Sequence, residues 1–162
     1  MKDFFEYQGV VKISALTKGK NSLLLEQHNE GTFDLFRFLC LSLIRDVDHD
    51  YRPKYISLAK KAENVFELIQ STPAVAYSSY SEDVESKKAR ATFVASIPSY
   101  MIIDRSQVDL YLCLLDGTEN KNVLAYIKVD NQLNDIPQGT VLNVEWILGF
   151  VNPEPAETPQ EE

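Results

Sequence analysis

The chain is poor in the residues that most often carry chemistry. Its 162 residues include two cysteines, two histidines and six glycines. The histidines, His28 and His49, lie too far apart in sequence to make a ligand pair, so no catalytic zinc site is expected. There is no Gly-x-Ser-x-Gly, no glycine-rich phosphate loop and no cysteine beside a candidate base. Those absences remove the common nucleophile and phosphate-binding signatures. Cys40 and Cys113 sit inside apolar runs with no neighbouring Cys or His, and both read as buried free thiols rather than a disulfide. The sequence therefore points away from an enzyme, and no cofactor or metal is expected.

Positive charge is scarce as well. Lysine and arginine number 16 against 24 acids, a formal charge of −8. Backbone binding to nucleic acid needs a basic face, so DNA, RNA and anionic membrane surfaces are not expected partners. Glu154, Glu157, Glu161 and Glu162 carry half of that excess. About −4 is left on the rest, where charge decides little beyond solubility. No apolar run approaches the roughly 18 residues a membrane span needs. The opening Met1-Lys2-Asp3-Phe4-Phe5-Glu6 carries acids at once and has no apolar core, so no secretory leader is expected. A cytosol, or a particle assembled in one, is the expected setting.

What the chain does have is strand pattern. Leu142, Val144, Trp146, Leu148 and Phe150 alternate with Val141, Asn143, Glu145 and Ile147, the spacing of a strand with one buried face. With the runs 108–115 and 123–129 it predicts a three-stranded antiparallel meander. Earlier strands are predicted over 5–16, 23–29, 54–59, 74–81 and 88–103. Thr17-Lys18-Gly19-Lys20-Asn21 serves as a hairpin turn, with Gly19 free to take positive φ, and Phe93, Ala95 and Ile97 share one face of the fifth of these. Phe33 to Arg45 predicts an amphipathic helix, with Phe33, Phe36, Cys40, Leu43 and Ile44 on one stripe and Thr32 as N-cap. That helix is expected to pack on the sheet, with another subunit as the alternative cover. A shorter helix is predicted within 60–70 from Ala62, Val65, Phe66 and Ile69. Residues 153–162 hold three prolines and four acids without a large apolar group, and are expected to be disordered. The expected fold is mainly β: one antiparallel β-sandwich domain over 1–152 with a helix at about 33–45, and a Pro/Glu-rich tail.

Three constellations stand out. Asp46, Asp48, His49 and Asp50 imitate a calcium loop, but Tyr51 replaces the required glycine and Ser57 the twelfth-position glutamate, so a solvated loop is expected. Glu82-Asp83 and Glu161-Glu162 fall in a turn and in the tail, with no cleft to separate acid from base. Tyr77, Tyr80, Tyr100, Tyr111 and Tyr126 offer a sugar-binding face, although tyrosine is also an ordinary cross-strand residue. Tyr77, Tyr80, Tyr100 and Tyr126 on one solvent face would favour sugar.

The order of several segments carries a resemblance. Asn29-Glu30-Gly31 precedes the helix, and Arg52-Pro53-Lys54-Tyr55-Ile56-Ser57-Leu58-Ala59 follows it. Then come Ala91-Thr92-Phe93-Val94-Ala95-Ser96-Ile97-Pro98, Asp109-Leu110-Tyr111-Leu112 and Val123-Leu124-Ala125-Tyr126. Gly139 to Phe150 closes the series. Over most of 21–152 this resembles small β-sandwich structural proteins of tailed-phage virions, in tail, neck or fibre-attachment layers; Ala59 stands where that pattern usually has Gly. The resemblance implies a non-enzymatic virion component, assembled in the host cytoplasm, one copy among several in a ring or trimer beside other virion structural proteins. Phe33, Phe36 and Leu39 of the helix and Pro153, Pro155 and Pro159 of the tail are then the candidate interface residues. A carbohydrate- or receptor-binding β-sandwich is the alternative, and an acidic cytosolic adaptor or inhibitor a third.

Overall fold

A computed structural model of the chain describes residues 6–42, 52–63, 65–99, 110–129, 133, 136–137 and 139–151. Among these are β1 (Glu6–Tyr7), β2 (Gly9–Thr17), β3 (Lys20–Gly31), α1 (Phe33–Ser42), β4 (Tyr55–Ala62), β5 (Val65–Ala74) and β6 (Ala76–Asp83). They are followed by β7 (Lys88–Pro98), β8 (Leu110–Leu115), β9 (Val123–Lys128) and β10 (Val141–Val151). The mainly-β class is as expected, with one helix among the described residues.

Every strand pairing is antiparallel. The strands form one path in the order β5-β4-β8-β9-β3-β2-β10-β7-β6, with β1 added on β10. One strand turns a corner of the path. Along β3, residues 20–29 pair with β2, whereas Glu30 and Gly31 pair with β9. The two ends of the path, β5 and β6, are consecutive in sequence with only Val75 between them. Its N–H donates to the Lys54 carbonyl at 2.9 Å. Strands that change partner at a bend are how a sheet folds over its own core. That core takes Val11 and Ile13 from β2, Leu58 from β4, Ile97 from β7, Leu112 from β8, Ile127 from β9 and Trp146 from β10. A second, smaller cluster forms around Ala59, Cys113 and Leu115.

β10 behaves as its alternation requires. Leu142, Val144, Trp146 and Leu148 are buried while Val141 and Glu145 are exposed. Each fully buried large side chain in such a row contributes roughly 1.5–3 kcal/mol. Its neighbours are not those expected. β8 and β9 form the expected hairpin, but β3 and β2 lie between β9 and β10. The connection between β9 and β10 is long enough to cross over, so the tight-turn argument for a meander lapses there.

The predicted helix within 60–70 is a strand pair instead. Ala62 faces Val65 across a two-residue turn in which Glu63 takes φ 55°. Val65, Glu67 and Ile69 are exposed and Phe66 and Leu68 half-buried, a period of two rather than 3.6. Ala62, Val65, Phe66 and Ile69 fit both templates over so short a run. The strand wins because it gives the backbone of β4 a hydrogen-bonding neighbour.

The β2–β3 hairpin turns at Lys18 and Gly19, both at positive φ (50° and 77°), as a two-residue loop between twisted strands demands. α1 starts where Thr32 caps it: the Leu35 N–H donates to Thr32 Oγ1 at 3.4 Å. The Thr32 N–H in turn donates to the Leu124 carbonyl at 2.9 Å, which fixes the helix start on β9. The helix does pack on the sheet, through Leu35, Phe38 and Leu39. Its inward stripe is therefore 35, 38 and 39, not the one through Phe33 and Phe36. Residues 43–45 of the expected helix lie outside the described residues.

Candidate functional site

The corner where β3 passes from β2 to β9 brings together side chains from five strands. Lys61 near the end of β4, Phe66 at the start of β5, Tyr111 on β8 and Tyr126 on β9 meet there, with Glu30 from β3. The three rings touch one another: Phe66 to Tyr126 is 4.8 Å between centroids, Phe66 to Tyr111 5.8 Å and Tyr111 to Tyr126 5.9 Å. The Lys61 ammonium sits among them, 4.5 Å from the Tyr126 centroid, 5.2 Å from Phe66 and 5.9 Å from Tyr111. Each ring presents its negative face to a cation at such distances.

A hydrogen-bonded chain runs through the cluster. Lys61 Nζ donates to the Tyr126 hydroxyl oxygen at 3.1 Å, and that hydroxyl donates to the Glu30 carboxylate. The bond to Tyr126 pushes the Lys61 ammonium above its ordinary value. The bond to Glu30, ahead of burial, likewise raises the Tyr126 phenol. Beside the cluster opens a recess of about 210 Å³ lined by Gln27, His28, Glu30, Lys61, Tyr111 and Tyr126, among others. Its walls offer two aromatic rings, an amide, an imidazole, an ammonium and a carboxylate, the donor and acceptor types that hold a sugar ring.

The tyrosines singled out from the sequence do not share one face. Tyr111 and Tyr126 belong to this cluster. Tyr77 and Tyr80 stand on β6, opposite Phe93 and Ala91 of β7. A register shift between Tyr77 and Ser79 puts these two tyrosines, three residues apart, on the same side. Both are exposed, at 62% and 57%, with the Tyr77 ring 6.0 Å from that of Phe93. Tyr100 lies outside the described residues. Lys61 and Phe66 escaped the sequence reading because residues 60–70 were read as a helix, and Glu30 because it was read only as part of the break before the helix at Phe33. An alternation test on Val65 to Ile69 would have found Phe66.

Of the candidate interface residues, Phe33 and Phe36 are 77% and 62% exposed, with ring centroids 6.3 Å apart. Leu39 is half-buried against the core. Pro153, Pro155 and Pro159 lie outside the described residues, as do Asp46, Asp48, His49 and Asp50. Among the described residues no group of three or more His, Cys, Asp or Glu could hold a metal ion, and no helix is long and apolar enough to cross a membrane. Cys113 is a buried free thiol as expected, pushed up to about 12 by desolvation.

The other buried polar groups serve the fold. Asp116, fully buried, accepts from the Thr118 N–H (3.1 Å), the Thr118 hydroxyl (2.7 Å), the Asn122 N–H (3.0 Å) and the Asn122 side-chain amide (2.8 Å). It thereby closes the β8–β9 connection. Neither a protein-family model nor a curated protein nor a solved structure matches this chain.

Proposed function

We propose that this chain is a non-catalytic structural component of a tailed-phage virion, in a tail, neck or fibre-attachment layer, working through protein–protein interfaces in a symmetric assembly. The observation that supports this reading is the Phe33–Phe36 pair. α1 already buries Leu35 and packs Phe38 and Leu39 on its own sheet, yet holds two adjacent phenyl rings in solvent. Two large rings held out together on an otherwise packed helix mark a contact surface. The order of sequence segments set out above supplies the virion setting.

The test is incorporation into particles. Phe33→Ser with Phe36→Ser should leave the circular dichroism and melting temperature of the isolated protein unchanged. In a phage lacking the native copy, the doubly substituted protein should fail to enter purified particles. Complete, infective particles formed without any copy of the protein would overturn the reading.

A second reading has its own observation, the recess beside Tyr111 and Tyr126. There the chain would act as a carbohydrate-binding module. A glycan array should then give a signal that Tyr111→Ala abolishes, and a blank array with the native protein removes this reading.

A further inference from the structure

Between Glu67 and Glu82 the chain carries no charged residue for fourteen positions, Leu68 to Ser81, although a quarter of its residues are charged. This is the longest such interval in the sequence. It coincides with the two strands at the ends of the sheet path, β5 and β6. Exposed edge strands are normally guarded by charge, by proline or by bulges, because an open row of N–H and C=O groups invites another strand.

The two edges are not equally guarded. β5 carries Pro73, is paired to β4 through two register shifts, and at Ala74 shares a recess with Val94 and Ala95 of β7. β6 has no proline and one register shift. All eight of its residues are exposed, and among the described residues nothing pairs its outer side. From Ala76 to Ser81 it presents only Ala, Tyr and Ser.

We propose that β6 is the edge at which two copies of this chain pair, antiparallel, β6 to β6 about a two-fold axis. The argument for a second copy as the occupant is charge. The protein carries −8, so two copies repel wherever their acidic surfaces meet. A basic partner would be drawn to the carboxylates, whereas an equally acidic partner is admitted where carboxylates are absent. Centring the pair on Ser79 sets Glu82 and Asp83 of each copy opposite Ala76 and Val75 of the other, both uncharged. The pairing extends the sheet of each copy through main-chain hydrogen bonds, and the self-complementary contact closes as a dimer. This inference rests on the reading of the chain as an assembly protein and adds the contact surface and its symmetry.

The experiment is light scattering on a size-exclusion column across a concentration series up to about 100 μM, which reads a micromolar Kd directly. Native protein should run as a dimer or an even multiple of one. Ser79→Lys places two ammonium groups near the axis. It should raise the dimer dissociation constant at least about tenfold, the effect of 1.4 kcal/mol, with an unchanged melting temperature. Amide hydrogen exchange along 76–81 should be slowed in the dimer and fast in that variant. Native protein that stays monomeric overturns the pairing, as does a dimer indifferent to Ser79→Lys. A dimer lost with Phe33→Lys and Phe36→Lys, but not with Ser79→Lys, moves the contact to α1 and leaves the assembly reading intact. Particle incorporation tests that reading separately.

Discussion

With the Asn29 side-chain amide assigned so that its oxygen faces donors and its nitrogen an acceptor, Asn29 of β3 and Trp146 of β10 are joined by a hydrogen bond, the indole Nε1–H donating to the amide oxygen at 3.2 Å, although β2 runs between their strands. The same oxygen accepts from the Val10 N–H at 2.9 Å, and the amide NH2 donates to the Tyr7 hydroxyl. Gly9 makes this reach possible, since a Cβ there would lie 2.1 Å from the Asn29 amide and 2.3 Å from the Tyr7 hydroxyl. One side chain thus ties β1, β2, β3 and β10 together over the largest residue of the core.

Asn29→Ala leaves the Trp146 indole, the Val10 N–H and the buried Tyr7 hydroxyl short of partners. The expected loss is about 3 kcal/mol, since each unsatisfied buried group costs roughly 1–3 kcal/mol. Urea denaturation followed by Trp146 fluorescence measures it. Gly9→Ala should fall in the same range, by displacing the amide rather than deleting it.

Asp116→Ala strips four donors of their common acceptor within the β8–β9 connection. A loss of about 3 kcal/mol is expected from the same accounting. Differential scanning calorimetry would show it as a lowered melting temperature. A change under about 0.5 kcal/mol, the usual range for a surface substitution, would contradict the network.

These networks mark the limit of what was legible in the sequence. β10 could be read residue by residue, because Leu142, Val144, Trp146 and Leu148 alternate cleanly and one face is buried. So could the Lys18-Gly19 turn and the Thr32 cap, whose signals are local. Strand order could not. The position of β10 between β2 and β7 depends on pairings far apart in the chain, and no local pattern encodes them. The helix was legible as an element but not in its orientation, since apolar residues surround it almost completely and only contact with β9 selects Leu35, Phe38 and Leu39. The Lys61 cluster failed for both reasons, an ambiguous short run and partners drawn from five strands.

Alkaline pH should loosen the Lys61 corner. Lys61 and Tyr126 both titrate higher in the folded protein than their ordinary values of 10.5 and 10.0. Folding therefore favours the protonated form of each. That stabilisation is fully present below pH 10 and is lost as the pH rises through the raised values. The urea midpoint of the native protein should fall above pH 10, and Tyr126→Phe, lacking the titrating hydroxyl and its bonds, should show a shallower fall.

Cys113 should be inert to thiol reagents in the folded state. It is buried, and the thiolate that would react is disfavoured by desolvation. Alkylation of this residue, followed by peptide mass spectrometry, should track the unfolded fraction across a denaturant series. Modification at native rates in buffer alone would show an opening of the β8–β4 pairing that the packing does not anticipate.

Synthesis order gives the central strand a further consequence. β10 is the last described strand to leave a ribosome, yet it lies between β2, among the first, and β7. Until it arrives, the β2–β3 and β6–β7 hairpins each hold an unpaired inner edge, and the indole that the Asn29 amide awaits has not been made. Closure of this sheet is therefore held back until β10 has been made. For that interval the growing polypeptide depends on chaperones, or on speed, to keep two open edges from finding the wrong strand.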